Sequence, residues 1–436
     1  MYVSLRLPLA ALAIGAVAAV AHRPGPVWAI LAGGNLLLLL AVAVDVRLAP
    51  RAGSMQVERD APEVLSMGRP ARLAVRLHNP ASRPVEVGIR DAAPPSLGRE
   101  PRRHRAVVEP GAWERFEAEV RPTRRGHASV GPITVRTSGP LRLAGRQATL
   151  PVTGRLKVYP ALPSRAEVEL RLQRARLLEI GQRSSAIRGG GTDFDSLREY
   201  HPDDEFRRIN WRATARAARP ITNVYRQERN QQVVLLVDAS RMMATTFGGF
   251  SRLEYALDAG IAVAELAAHV GDQVGLVAFA GRVVSAVGPK GGRVQPRRLL
   301  EALFALEPSL ESANYREAFS ALLARHRRRA LLVLLTELTE ESALEPLLEA
   351  LPALLARHLV LVGAVADPDV AAQARAAPSS SEDVYLKAAA AASADARDRA
   401  GARLRRMGAV VVDRPPGKLA GELADQYLRI KAFGRL

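Results

Sequence analysis

Residues 232–242 read Gln232-Val233-Val234-Leu235-Leu236-Val237-Asp238-Ala239-Ser240-Arg241-Met242, and the fold turns on them. An unbroken aliphatic run with no polar alternation describes a strand covered on both faces, and it ends abruptly in a carboxylate and a hydroxyl. Downstream, short aliphatic runs alternate with amphipathic stretches. A helix is predicted over Leu253–Val270, strands over Gln273–Phe279 and Val283–Val287, and helices over Pro296–Ala305 and Tyr315–His326. A strand at Ala330–Leu335, a helix at Ala343–Ala356 and a strand at Leu359–Ala364 follow. An alanine-rich helical region then reaches Met407, before a last strand at Ala409–Val412 and a last helix at Leu419–Ala432. This alternation predicts an α/β domain over 231–436, a doubly wound parallel sheet with helices on both faces. Ligands of such sheets sit at the carboxyl ends of the strands, where Asp238 and Ser240 fall.

The loop Asp238-Ala239-Ser240-Arg241-Met242 resembles the metal-ion-dependent adhesion site of von Willebrand factor A domains. In those domains an Asp-x-Ser-x-Ser loop, a threonine and a second aspartate hold Mg²⁺. The resemblance implies a von Willebrand factor A-like, Rossmann-like fold that binds partners. It makes Mg²⁺ the candidate cofactor, with Asp238, Ser240, Asn314 and Glu337 as the candidate ligands. The site is degenerate: Met242 stands where a second serine is expected, Asn314 near the threonine position and Glu337 near the second aspartate. A thioether is a poor ligand for a hard cation that wants oxygen. The other reading of the same loop has Asp238 and Ser240 bonding local backbone only.

Upstream, within a segment and linker spanning 161–230, lies Arg188-Gly189-Gly190-Gly191-Thr192-Asp193-Phe194-Asp195-Ser196-Leu197-Arg198-Glu199-Tyr200-His201-Pro202-Asp203-Asp204-Glu205. It continues Phe206-Arg207-Arg208-Ile209-Asn210-Trp211-Arg212-Ala213-Thr214-Ala215-Arg216. Phe194–Tyr200 has strand character, His201-Pro202-Asp203 is a turn, and Asp203 or Asp204 is placed to open a helix whose dipole favours acid there. Arg208, Arg212 and Arg216 then recur at four-residue spacing, a stripe able to clamp carboxylates or phosphates. In the alternative, these arginines pair internally with Asp193, Asp195, Glu199 and Asp204 while Trp211 packs in the core. The run Arg188–Gly191 is not followed by the Gly-Lys-Ser/Thr of a phosphate-binding loop.

The whole segment resembles the hallmark of the bacterial family called domain of unknown function fifty-eight. Asp193, Arg198, Tyr200, Asp204, Arg208, Trp211, Arg212 and Arg216 stand at its pattern positions as partner-binding or structural residues. The resemblance implies a protein-binding adaptor that works with a MoxR-type AAA+ ATPase. It brings no catalytic residues with it.

At the amino end two apolar runs, Leu7–Ala21 and Val27–Val44, flank His22-Arg23-Pro24-Gly25-Pro26 and predict a two-span transmembrane hairpin within residues 1–50. The alternative of a secretory leader lacks a small-residue cleavage site between the runs. Arg47, Arg51, Arg59 and Arg69 follow the second run, which places the large domains on the cytoplasmic side of the inner membrane. Residues 51–160 alternate apolar and polar positions between Pro- and Gly-rich turns, the signature of a small all-β sandwich.

The formal charge of +18 invites a nucleic-acid or anionic-surface reading. The lysines, however, are confined to Lys157, Lys290, Lys387, Lys418 and Lys431, so arginine carries the excess, in the manner of GC-rich coding bias. With 5% aromatic residues and no stretch interleaving them with basic ones, stacking platforms are missing and nucleic acid is not the expected partner. The absence of cysteine excludes disulfides, thiolate metal sites and a cysteine nucleophile. An enzyme reading remains, a hydrolase with Ser240 as nucleophile, although no Gly-x-Ser-x-Gly elbow or His-Glu-x-x-His motif supports it.

Overall fold

The computed structural model describes residues 1–20, 24–98, 103–162, 164, 193–202, 204–226, 230–338 and 341–432. The chain divides into two compact units, Met1–Tyr159 and Pro160–Leu436.

The first unit opens with a short strand β1 (Tyr2–Val3) and two apolar helices, α1 (Arg6–Val20) and α2 (Pro24–Leu48). α2 is long and apolar enough to cross a membrane by length and composition; α1, with 15 residues, falls short of the ~20 that a span requires. Leu9, Leu12, Trp28, Leu37 and Leu39 on these helices are exposed, apolar surface that water would penalise.

Strands follow: β2 (Gln56–Asp60), β3 (Val64–Ser66), β4 (Ala71–His78), β5 (Val85–Asp91), β6 (Arg103–Val108), β7 (Trp113–Val120), β8 (Gly126–Val130), β9 (Ile133–Ser138), β10 (Ala144–Leu150) and β11 (Gly154–Tyr159). They form sheets ordered β1-β10-β9-β5-β6, β2-β4-β7 and β3-β11-β8. The period-two pattern explains the core. Val85, Val87 and Ile89 of β5 and Ile133 and Val135 of β9 turn inward to meet Val75 and Leu77 of β4 and Phe116 of β7.

The carboxyl end of α2 is tied to this β-structure chiefly by Asp45, and Arg146 of β10 adds a bond to Val46 O (3.1 Å). Asp45 is fully buried, and its carboxylate accepts hydrogen bonds from the backbone N–H groups of Leu141 (2.7 Å), Leu143 (2.8 Å) and Ala144 (2.9 Å) in the β9–β10 turn. A glycine at 139 makes the approach possible, because a Cβ there would lie 2.2 Å from the Asp45 carboxylate.

The second unit contains β12 (Asp193–Glu199), α3 (Trp211–Ala217) and β13 (Ile221–Arg226), with β12 and β13 paired antiparallel. Next come β14 (Gln232–Asp238), the small hairpin β15 (Thr246–Phe247) and β16 (Phe250–Ser251), α4 (Arg252–Val270), β17 (Gln273–Phe279), β18 (Val283–Lys290), α5 (Gln295–Leu303) and α6 (Tyr315–Arg325). The unit ends with β19 (Ala330–Leu335), α7 (Glu341–Leu355), β20 (Leu359–Val365), α8 (Pro368–Arg375), α9 (Ser381–Arg406), β21 (Val410–Arg414) and α10 (Leu419–Ala432).

Six strands form one sheet in the order β18-β17-β14-β19-β20-β21. Alternate residues of the buried strands feed two cores. Val233, Leu235 and Val237 pack with α4 and α10 on one face, while Val234 and Leu236 pack with α6 and α7 on the other.

Three expectations need correction. β18 runs antiparallel to β17 and is not part of a wholly parallel sheet; only three residues join the two strands, too few for a crossover, and its alternating exposure marks an edge with one face in water. The alanine-rich region is two helices: Pro378 interrupts it, and Ser380 restarts the chain with a capping box to Asp383. Asp204 does not open the helix after β12, and Asp203 lies outside the described residues. Asn210 opens it, its side chain accepting from the Ala213 N–H, because residues 206–208 form a separate 3₁₀ turn.

Replacing Asp45 by alanine strands three backbone donors and is expected to cost about 3 kcal/mol. Thermal unfolding of the full chain in detergent should show the transition of the β-rich unit shifted down; an unchanged melting curve would mean that the α2 junction does not depend on this carboxylate.

Candidate functional site

Parallel pairing in strict register sets the site. Asp238 ends β14 opposite Phe279 of β17, and Val237 lies opposite Leu335 of β19, so the residues that follow all three strands emerge at one edge. There Asp238, Ser240, Met242, Ser312, Tyr315 and Glu337 line a cleft of about 130 Å³, together with Arg241, Ala313 and Pro346. Loops are stitched around it by backbone bonds: the Arg241 N–H donates to Glu311 O (3.0 Å) and the Ser309 N–H to Ala239 O (2.7 Å).

Asp238 is almost wholly buried. Its carboxylate accepts from the Ser240 N–H (2.8 Å), an Asx turn that sets the loop, and from the Thr336 hydroxyl (2.6 Å) and the Tyr315 hydroxyl (3.3 Å). Burial pushes the Asp238 carboxyl above the usual carboxylate range, against the pull of its bonds from Thr336, Ser240 and Tyr315. Burial, with the Asp238 charge, holds the Tyr315 phenol well above its ordinary value. The Ser240 hydroxyl is buried beside the Asp238 carboxylate, and among the described residues it has no partner in good hydrogen-bond geometry.

Glu337 is held between two arginines. Arg397 of α9 donates to one oxygen, and Arg252, the first residue of α4, lies 2.8 Å from the other, an ion pair without hydrogen-bond geometry. Arg252 also donates to the Met242 carbonyl (2.9 Å), so the ion pair supports the loop after β14. Arg397 grips Asp413 of β21 as well, with both carboxylate oxygens at 2.5 and 2.8 Å. Burial raises Glu337 and lowers Arg252, each against the attraction of the other; Arg397, with two carboxylates, is held above its ordinary value in spite of burial.

The expected ligands are thus divided in their roles. Asp238, Ser240 and Glu337 share the cleft. Asn314 stands beside it, but its oxygen accepts from the Glu317 N–H to cap α6 and its amide donates to Gly281 O. A Mg²⁺ shell needs several unencumbered oxygens, and here one carboxylate is neutralised by guanidinium groups while Met242 offers sulfur. Among the described residues no group of three or more His, Asp or Glu side chains is placed to hold a metal ion. This side-chain arrangement does not fit Mg²⁺.

The upstream hallmark residues sit elsewhere in the second unit. Arg198 pairs with Asp204 (2.6 Å), and Asp204 also accepts from the His201 N–H, bonds that hold its carboxyl below the usual range although its partial burial raises it. Glu199 pairs with Arg219, and Glu205 with Arg207 and Arg208. Asp193 opens β12, and the Tyr200 N–H bonds Pro220 O. Arg208 belongs to the 3₁₀ turn, so only Arg212 and Arg216 share α3, and the three-arginine stripe is not formed. Trp211 is 61% exposed rather than in the core, edge-on to the exposed Phe206 at 5.6 Å. The run Arg188–Gly191 lies outside the described residues.

Residues 196–376 match the family described as protein of unknown function DUF58. The match takes in the Arg198–Arg216 hallmark together with β14 to α8, so both halves of the cleft belong to it. Uncharacterised proteins of Mycobacterium tuberculosis and Mycobacterium bovis are 27% identical to the chain over 192 residues, 43% of this chain and 59% of theirs. Among solved structures, BatB of Bacteroides thetaiotaomicron, described as a conserved hypothetical protein, is 18% identical with a TM-score of 0.31, covering 47% of this chain and all of that one. The CARDB domain of a Pyrococcus furiosus protein, described in complex with di-metal ions, is 16% identical with a TM-score of 0.18, covering 24% of this chain and 92% of that domain. Scores at that level do not establish a shared fold.

Reasoning from sequence missed Arg252, Arg397 and Asp413. An arginine in the first turn of a helix opposes the helix dipole, and that misfit at Arg252 was the one available signal for a buried carboxylate partner.

Replacing Glu337 by glutamine leaves Arg252 without its counter-ion and should lower unfolding free energy by about 3 kcal/mol. Adding Arg252→Met should cost less than the sum of the two changes in chemical denaturation; strict additivity would show that the two side chains are not coupled. For Asp238 the sign is set by its raised folded-state value: the associated stability is present below the ordinary carboxylate pKa and is lost as pH rises through the folded value. The melting temperature of Asp238→Asn relative to wild type should therefore climb between pH 4.5 and 7.5, and a flat difference would contradict the raised value.

Proposed function

We propose that the chain is a membrane-anchored adaptor whose second unit is a von Willebrand factor A-like domain, docking a protein partner on the carboxyl edge of its six-stranded sheet. The observation that carries this reading is the convergence of Asp238, Met242, Ser312 and Glu337, from three separate loops, on one cleft. Such a rim gives a partner polar contacts at the end of a buried sheet. Ser312 is exposed and Met242 half-buried at its mouth, accessible to a docking side chain.

The resemblance of the hallmark segment favours a MoxR-type AAA+ ATPase as the partner. The apolar α2 and the arginines that follow it favour a membrane anchor with the large units on the cytoplasmic face of the inner membrane, and the apolar α1 before it would make that anchor a two-span hairpin although it is shorter than a full span. A hydrolase built on Ser240 has less support, because no histidine lines the cleft among the described residues.

A photo-crosslinking residue at position 312 of the full chain in its native membrane should capture an AAA+ ATPase, identified by mass spectrometry. The same residue at the exposed Thr149 of the first unit should not. Ser312→Arg should lower co-purification of that ATPase at least tenfold. Equal recovery with Ser312→Arg, or adducts that never contain an AAA+ protein, would overturn the proposal.

A further inference from the structure

A second and larger cavity lies in the first unit and shares no lining residue with the sheet-edge cleft. Its floor is the outer face of the β1-β10-β9-β5-β6 sheet. Strand alternation that sends Val87 and Ile89 into the core sends Glu86, Gly88 and Arg90 outward on β5, and Thr134, Arg136 and Ser138 outward on β9. Register then lines up Arg105 of β6, Gly88, Arg136 and Gln147 of β10 in one row across four strands. Gly88 has no side chain, so a gap opens between two guanidinium groups. The amino-terminal residues form a wall: Tyr2 is paired with Gly145, its hydroxyl bonds Ser138 (2.7 Å), and the Ser4 hydroxyl donates to Arg142 O (2.6 Å). The enclosed volume is about 320 Å³, the size of a small-ligand pocket.

Charge in this cavity is one-sided. Among the described residues, Arg6, Arg90, Arg105, Arg136 and Arg142 line it against the single carboxylate of Glu86, which pairs with Arg142 at 2.8 Å. Arg136 is positioned by Gln147 (2.7 Å) and lies over the Tyr2 ring at 5.0 Å. Arg6, Arg90 and Arg105 have no acidic partner among the described residues. Five arginines against one glutamate leave an excess of four positive charges on the lining, which an anion would offset, and guanidinium forks match the oxygens of a phosphate group. The same wall carries Leu5 and Arg6, where the apolar α1 begins with Leu9 and Leu12 exposed. A polar, cationic cavity contiguous with exposed apolar helix surface matches a ligand that has a phosphate at one end and acyl chains at the other.

We propose that this cavity binds the phosphate of an anionic phospholipid headgroup, with Arg90, Arg105 and Arg136 as the principal ligands. The shared chemistry is a phosphate group, which a lipid or a soluble phosphate can supply. The site is independent of the sheet-edge cleft, so neither result bears on the other.

The full chain in dodecyl maltoside is titrated calorimetrically with short-chain phosphatidylglycerol, short-chain phosphatidylcholine and inorganic phosphate. Phosphatidylglycerol should bind saturably and at least tenfold more tightly than either of the others. Arg90→Gln with Arg105→Gln removes charge from side chains that have no acidic partner among the described residues, and should weaken phosphatidylglycerol at least tenfold. Gly88→Leu fills the gap with all charges kept; a Cβ at 88 meets only ordinary contacts at 3.7–3.9 Å, so the strand is retained, and binding should disappear. Unchanged affinity in both variants, or no saturable binding by any of the three ligands, overturns the site. Inorganic phosphate binding as tightly as phosphatidylglycerol overturns the lipid as its source.

Discussion

The second unit is organised by a single strand that cannot be solvated. β14 has aliphatic side chains on both faces and neighbours in register on both sides, so its backbone donors and acceptors are satisfied only by β17 and β19. That double pairing places the helices on two faces and halts three strands at the same level. The polar residues that follow have one place to go, the carboxyl edge. There the carboxylate of Asp238 is too buried to rest on water and recruits Ser240, Thr336 and Tyr315 from three chain segments.

Around this point the edge is held by charge. Glu337, Arg252, Arg397 and Asp413 come from the loop after β19, the start of α4, the middle of α9 and β21. Desolvation works against Glu337, Arg252 and Arg397, and mutual pairing is what makes their burial tolerable. One consequence is that Glu337 is a counter-ion for two guanidinium groups and not a free ligand. That arrangement does not suit a cation shell.

In the first unit the corresponding device is Asp45. It ends the apolar run of α2 and satisfies three amides of the β9–β10 turn, so that a helix apolar enough for a membrane is joined to the β-structure by hydrogen bonds and not by a flexible linker. The same sheet presents its outer face as the arginine-lined cavity, and the segment Tyr2–Arg6 that leads into α1 forms a wall of it.

Much of the α/β order was legible in the residues themselves. Aliphatic runs such as Gln232–Asp238 and Ala330–Leu335, and helices such as Leu419–Ala432, carry their periodicity locally, because burial of a whole face demands it. Asp238, Ser240 and Glu337 could be placed at one edge for the same reason, since strand ends follow from strand runs. Other features depend on contacts across the chain. The antiparallel course of β18 is set by a three-residue connection, and the exposure of Trp211 by a 3₁₀ turn that moves the helix start to Asn210. The partners of Glu337 lie 85 residues before it at Arg252 and 60 after it at Arg397, and Gly88 separates Arg105 from Arg136 only because three strands align. Local pattern determines which face of an element is buried; which distant side chains meet is decided by register and packing, which no window of sequence contains.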